Sequence, residues 1–191
     1  MSGQINTMKD IIGYAAETYG ENPAIRYKVR KEIITKTYED IKKDSEAFSR
    51  ALDHMGMLGK HVAVIGPTTY EWIITYFGAA NSGCVIVPLD AQLPAADVCE
   101  LLDRADISVL VYDELRRDVA EMAAEKCPDI KCMVSMQAKE NTENVMSLQE
   151  LLKIHTGSFS CSPDPDKLCA ILFTSGTTGK SKGVMLTHRN L

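Results

Sequence analysis

Residues 172–184, Leu172-Phe173-Thr174-Ser175-Gly176-Thr177-Thr178-Gly179-Lys180-Ser181-Lys182-Gly183-Val184, gather in one stretch the groups that hold a polyphosphate. Gly176 and Gly179 free the backbone to turn its N–H groups inward. Thr174, Ser175, Thr177 and Thr178 add hydroxyl donors, and Lys180 and Lys182 add positive charge. Together these make an anion cradle. The charge around it agrees. Residues 167–191 carry four Lys or Arg and no Asp or Glu, whereas the first 166 residues carry 17 basic and 26 acidic groups. An acidic body with a basic end suits a local anion site, not a polyanion partner such as nucleic acid.

Two phosphate motifs are excluded by spacing. Gly179-Lys180-Ser181 matches the end of a Walker loop, but the first glycine of that motif would fall at Thr174. A Walker loop also opens a helix, and Gly183-Val184-Met185-Leu186 is a poor helix start. The turn Gly66-Pro67-Thr68-Thr69 lacks the second and third glycines of a dinucleotide fingerprint. A ligand-free Gly/Ser/Thr hairpin is the remaining rival, and the two lysines and missing acids weigh against it. His188 beside the loop reads as structural. His54, His61 and His155 have no partners at metal-ligand spacing. Tyr70, Trp72, Tyr76 and Phe77 read as core, and Asp90, Asp103 and Asp106 show no pairing suited to acid–base work.

Alternating elements must carry the loop. Thr7-Met8-Lys9-Asp10 and Thr37-Tyr38-Glu39-Asp40 read as capping boxes opening two helices. The first helix has Met8, Ile11, Ile12, Ala15, Ala16 and Tyr19 inward and ends at Gly20; the second has Ile41, Phe48, Leu52 and Met55 inward and stops at Gly56. Between them, 24–29 and 32–37 form strands around an Arg30-Lys31 turn. Strands are then expected at 61–65, 84–89, 107–112, 131–135 and 168–173. They alternate with helices starting at Thr68 or Thr69, at Pro94, at Asp113 (running to Lys126) and at Ser147. The helix after Thr69 is expected to bury Trp72, Ile73, Tyr76, Phe77 and Ala80. Residues 137–144 and 155–167 read as loop and connector, Val184–Leu186 as extended, and Thr187 as a further cap. Repeated strand–helix–strand predicts an α/β fold, a layered and largely parallel sheet covered by helices on both faces. The expected division is 1–166, an α/β subdomain with connector, and 167–191, the start of a segment carrying the phosphate loop.

At 191 residues and 45% hydrophobic content the chain can bury one substantial core, and a net charge of −5 does not point to disorder. Six cysteines show no zinc spacing and read as reduced thiols of a cytoplasmic protein, and no apolar run is long enough to span a bilayer.

Phe173 through Val184 resembles the phosphate-loop signature of the acyl-adenylate-forming enzymes, with Ser181 where that family usually has proline. Thr37-Tyr38-Glu39-Asp40-Ile41 resembles its early Thr-Tyr segment. Trp72–Asp90, with Gly78, Gly83 and Val87-Pro88-Leu89-Asp90, resembles its second core motif. Val184–Leu191 is most similar to the continuation in long-chain fatty acyl-CoA ligases. The resemblance covers essentially all 191 residues and implies the N-terminal part of that family's large domain. It also implies a two-step ligase in which a carboxylate attacks the α-phosphorus of ATP, and CoA then displaces AMP from the acyl-adenylate. Thr174, Ser175, Gly176, Thr177, Thr178 and Gly179 would hold the β- and γ-phosphates. Lys182 would offset charge on the leaving pyrophosphate, and Lys180 would stay solvated. ATP, Mg²⁺ and CoA are the implied cofactors and co-substrates, with a small-molecule carboxylic acid as substrate. The family's adenine, ribose, hinge and catalytic-lysine motifs follow the phosphate loop, so no catalytic residue is expected here. The 191 residues are expected to be an inactive N-terminal fragment that tends to self-associate. The alternative is a short non-catalytic nucleotide-binding or regulatory module, distinguished by whether the reading frame continues past Leu191.

Overall fold

The computed structural model describes residues 5–174 and 181–191. Thr7 and Asp10 form the expected reciprocal cap on α1 (Met8–Tyr19), which Gly20 closes at φ +44°. The antiparallel hairpin β1 (Pro23–Val29) and β2 (Glu32–Thr37) turns at Arg30 and Lys31, with Arg30 at φ +53°. Thr37 and Asp40 then cap α2 (Tyr38–His54). In both boxes an aspartate reaches back to the cap's own backbone N–H, satisfying donors that a helix start leaves open.

The regular part follows as β3 (His61–Ile65), α3 (Tyr70–Asn81), β4 (Val85–Leu89), α4 (Ala95–Arg104), β5 (Ile107–Tyr112), α5 (Arg117–Lys126), β6 (Cys132–Ser135), β7 (Met146–Ser147), α6 (Leu148–Ile154), β8 (Leu168–Thr174) and β9 (Lys182–Thr187). Seven strands form one sheet in the order β7-β6-β5-β3-β4-β8-β9, parallel throughout except for β9, which runs antiparallel to β8. The segment 167–191 thus adds its two strands to the sheet built by the first 166 residues.

Alternate residues of the central strands feed two cores. Val62, Val64, Ile86, Val109 and Val111 pack with Ile12, Phe48, Leu52, Ile74 and Leu148 under α1, α2, α3 and α6. Ala63, Ile65, Val87, Leu110 and Tyr112 pack on the other face with Val98, Leu102, Val119 and Ala123 of α4 and α5. Each fully buried Leu, Ile, Val or Phe stabilises the fold by roughly 1.5–3 kcal/mol relative to exposure. Strands buried on both faces read as unbroken apolar runs.

Several expectations shift in detail. α3 fully buries Ile74, Gly78 and Ala79, while Trp72, Ile73, Tyr76 and Phe77 are half-buried. The reason is close approach. A Cβ on Gly78 would lie 2.8 Å from the Ser45 carbonyl oxygen and 2.9 Å from the Phe48 ring, so the small residues face α2. The aromatics ride on the flank, where Trp72 and Tyr76 stack at 5.5 Å. On α1, Ile11 and Tyr19 are exposed, because the helix contacts α2 and α3 through the narrower stripe Met8, Ile12, Ala16. Asp113 caps a 3-10 turn (Glu114–Arg116) before α5 begins, and the two-residue β7, at the start of the expected Ser147 helix, has no counterpart among the expected strands.

Candidate active-site loop

β8 runs parallel to β4, with Ile86 and Ala170 in register, and carries the chain to the carboxyl edge of the parallel strands. In open α/β sheets that edge is where ligands bind. β9 returns antiparallel, and its first residue, Lys182, pairs with Thr174, the last of β8. Of the predicted phosphate ligands, the structure therefore places Thr174 and Lys182 opposite each other at the mouth of the hairpin, both exposed. Ser175, Gly176, Thr177, Thr178 and Gly179 lie outside the described residues, as does Lys180. β8 and β9 pair as the two arms of an antiparallel hairpin, which is the topology of the rival reading.

The base of the loop is braced by a residue that the sequence did not single out. Arg104, at the end of α4, donates from Nη2 to the Ser181 carbonyl oxygen at 2.9 Å, and its guanidinium lies 5.7 Å from the Phe173 ring centroid. It adds a second cation beside Lys182 at the mouth. No local pattern marks Arg104, because its arrival depends on which strand neighbours β4. Gly183 faces Phe173 across the ladder, and a Cβ there would sit 3.0 Å from Ile171 and 3.4 Å from the Phe173 ring. The glycine leaves room for the aromatic ring beside it.

Behind the loop, Thr187 and Asn190 cap a 3-10 turn (His188–Asn190). His188 is buried at 4% exposure, and its Nδ1 accepts the Met8 N–H at 3.4 Å, which satisfies an open donor of α1. Burial lowers its pKa below the ordinary imidazole value, against the opposing pull of Asp10 and Asp164. A neutral imidazole serving as an acceptor for backbone is structural. Arg189 holds Asp166 through a two-point ion pair at 2.8 and 3.3 Å.

Among the described residues no three His, Cys, Asp or Glu side chains converge to hold a metal ion. Among them, too, no helix is long and apolar enough to cross a membrane.

Comparison with known proteins decides the family. The model of the AMP-binding enzyme family matches residues 13–191. The chain belongs to the AMP-binding enzymes. The long-chain-fatty-acid–CoA ligase ACSBG2 of Rattus norvegicus is 26% identical over 198 residues, covering 97% of this chain and 30% of that protein. The fatty acid–[acyl-carrier-protein] ligase ScoC of Streptomyces coeruleorubidus is 29% identical over 188 residues, covering 98% and 34%. The chain thus spans about a third of the length of these two AMP-binding relatives. Among solved structures, the anthranilate CoA ligase AuaEII in complex with anthranoyl-AMP superposes with a TM-score of 0.86 at 18% identity, over 96% of this chain and 35% of that one. The mainly parallel sheet with helices on both faces is the fold that AuaEII shares with this AMP-binding chain.

Proposed function

We propose that this chain forms the phosphate-binding part of a cytoplasmic, AMP-forming acid–thiol ligase that activates a fatty acid as its acyl-adenylate and passes the acyl group to CoA. The observation that carries the reading is the hairpin mouth. Thr174 and Lys182 stand opposite each other at the carboxyl edge of the parallel strands, on either side of a Gly/Ser/Thr connection. Membership of the AMP-binding enzymes and the named activities of the rat and Streptomyces relatives support it.

In this reading the hydroxyls of Thr174, Ser175, Thr177 and Thr178, with amides near Gly176 and Gly179, hold the β- and γ-phosphates. The carboxylate oxygen attacks the α-phosphorus, the α–β bridging bond breaks, and its electrons leave on pyrophosphate, whose growing charge Lys182 offsets. Arg104 positions the loop by holding the Ser181 carbonyl. Magnesium would travel with the nucleotide.

The test is product analysis of the full-length polypeptide that carries these residues, given ATP, Mg²⁺, a fatty acid and CoA. AMP, pyrophosphate and an acyl-CoA thioester are expected. ADP and phosphate would contradict the proposal, because they require cleavage at the γ-phosphorus. A thioester formed only on a carrier protein would move the acceptor from CoA and keep the adenylation step.

A further inference from the structure

Far from the hairpin mouth, three sulfur atoms from three elements converge. Cys132 opens β6, Met146 opens β7 and Met55 follows the last turn of α2. Cys132 Sγ lies 3.4 Å from Met146 Sδ and 3.7 Å from Met55 Sδ. The register explains the meeting. Val134 pairs with Met146 across the parallel ladder, so Cys132, two residues earlier, points to the same face of the sheet, and the end of α2 packs over it. All three residues are half-buried, so the cluster sits at the margin of the core within reach of solvent.

One thiol carries one hydrogen, and it cannot serve two thioethers at once. A cation in place of that hydrogen can be shared by all three sulfurs. We propose that Cys132, Met55 and Met146 form a thiolate–dithioether site for a monovalent soft metal ion, copper(I) or silver(I). The dimensions agree. Sulfurs held about 2.3 Å from one ion in a trigonal plane stand about 4 Å apart, so the two spacings to Cys132 Sγ, 3.7 and 3.4 Å, need only a few tenths of an ångström of expansion, and the two thioethers must close on one ion from either side of the thiol. Methionine, with its unbranched and flexible side chain, can supply that movement.

The donor set also fixes the class of ion. Thiolate and thioether ligands select soft ions, while zinc and magnesium want imidazole, several thiolates or oxygen ligands. Among the described residues no three His, Cys, Asp or Glu groups gather anywhere. On binding, the S–H bond breaks, its electron pair forms the bond to the ion, and the proton leaves to solvent. No electron is transferred, and binding strengthens as pH rises. The ion would clip β7, the two-residue edge strand, to β6 and α2, so occupancy should raise thermal stability.

The test uses the 191-residue chain, titrated anaerobically with silver(I), and with copper(I) against a competing chelator. One tight equivalent is expected, with a rise in Tm and with three sulfur ligands seen by X-ray absorption. Cys132→Ser should lose the equivalent. The pair Met55→Leu and Met146→Leu, which keeps volume and the thiol, should weaken binding by at least about tenfold, the loss that disturbing even an outer partner of a metal ligand causes. Cys161→Ser, at a half-exposed thiol elsewhere, should change nothing, and zinc(II) should give no shift in Tm. Circular dichroism of each variant separates lost binding from lost fold. Unchanged affinity in the leucine pair would overturn the proposal, because a lone thiol would then suffice. Silver uptake that follows Cys161 would overturn it equally.

Discussion

At the scale of single residues, the hairpin mouth is set by partners that are near neighbours in the ladder and by one that is not. Thr174, Lys182 and Gly183 stand out in the sequence because glycine freedom, hydroxyls and lysine charge are all properties of one short stretch. Arg104 was not legible, because its bond to the Ser181 carbonyl spans 77 residues and depends on the sheet order. His188 is the residue with the clearest solution signature. Its folded-state pKa is lowered, first by burial, so below the ordinary imidazole value of about 6.5 the unfolded chain takes up a proton that the folded chain excludes. Stability is therefore expected to fall as pH drops from 7.5 to 5.5. His155, also lowered by burial, by His54 and by Arg50, acts with the same sign. The carboxylates of Glu114 and Asp118, lowered by hydrogen bonds to Ser135 and Arg116, lose their contribution only at more acidic pH. Urea unfolding across this range should show a smaller loss of midpoint in His188→Gln than in the parent. An identical loss in both would mean that the imidazole is not excluded from protonation by the fold.

At the scale of elements, what the sequence announced was what is local. Both capping boxes, the turn at Arg30 and the run of strands that alternate with helices follow from neighbours within four residues, and they stand where expected. The buried face of α3 is not legible in the sequence, because a helix apolar on most sides offers no stripe to choose from. The choice was made by α2, which needs Gly78 to approach. Gly78→Ala is expected to destabilise the chain by about 1–3 kcal/mol, the usual cost of forcing atoms into a packed core, since the Ser45 carbonyl and the Phe48 ring both lie within 3.0 Å of the new carbon. Chemical denaturation measures this directly. A neutral or stabilising result, as helix propensity alone would give, would show that the two helices can separate without loss. β7 escaped the sequence reading for a related reason. Two residues carry no periodicity, and their pairing with β6 exists only because the sheet edge is already there.

At the scale of the whole molecule, the sheet has two well-buried faces and ends on one side at the edge strand β9, on which Val184 and Met185 are 42% and 67% accessible. An unpaired edge strand with apolar side chains invites pairing with another chain. The 191 residues alone are expected to melt cooperatively and to self-associate as concentration rises, and Met185→Lys should reduce the association seen by sedimentation. Equal association in that variant would place the contact elsewhere. ATP should bind this chain only at about millimolar Kd, near −4 kcal/mol, since a few solvent-screened phosphate contacts carry no more. Micromolar binding by calorimetry would mean that these residues hold a complete site. The central claim, that the loop between Thr174 and Lys182 serves adenylate formation, is tested most directly by fatty-acid-dependent exchange of labelled pyrophosphate into ATP. The assay takes the full-length polypeptide without CoA and compares it with its Lys182→Ala variant. The account predicts clear exchange in the parent and a fall of about a hundredfold to a thousandfold in the variant, as for loss of one charge-stabilising donor, with Tm almost unchanged. A variant that exchanges at the parental rate while melting several degrees lower would contradict it, and Lys182 would then be a structural residue of an ordinary hairpin.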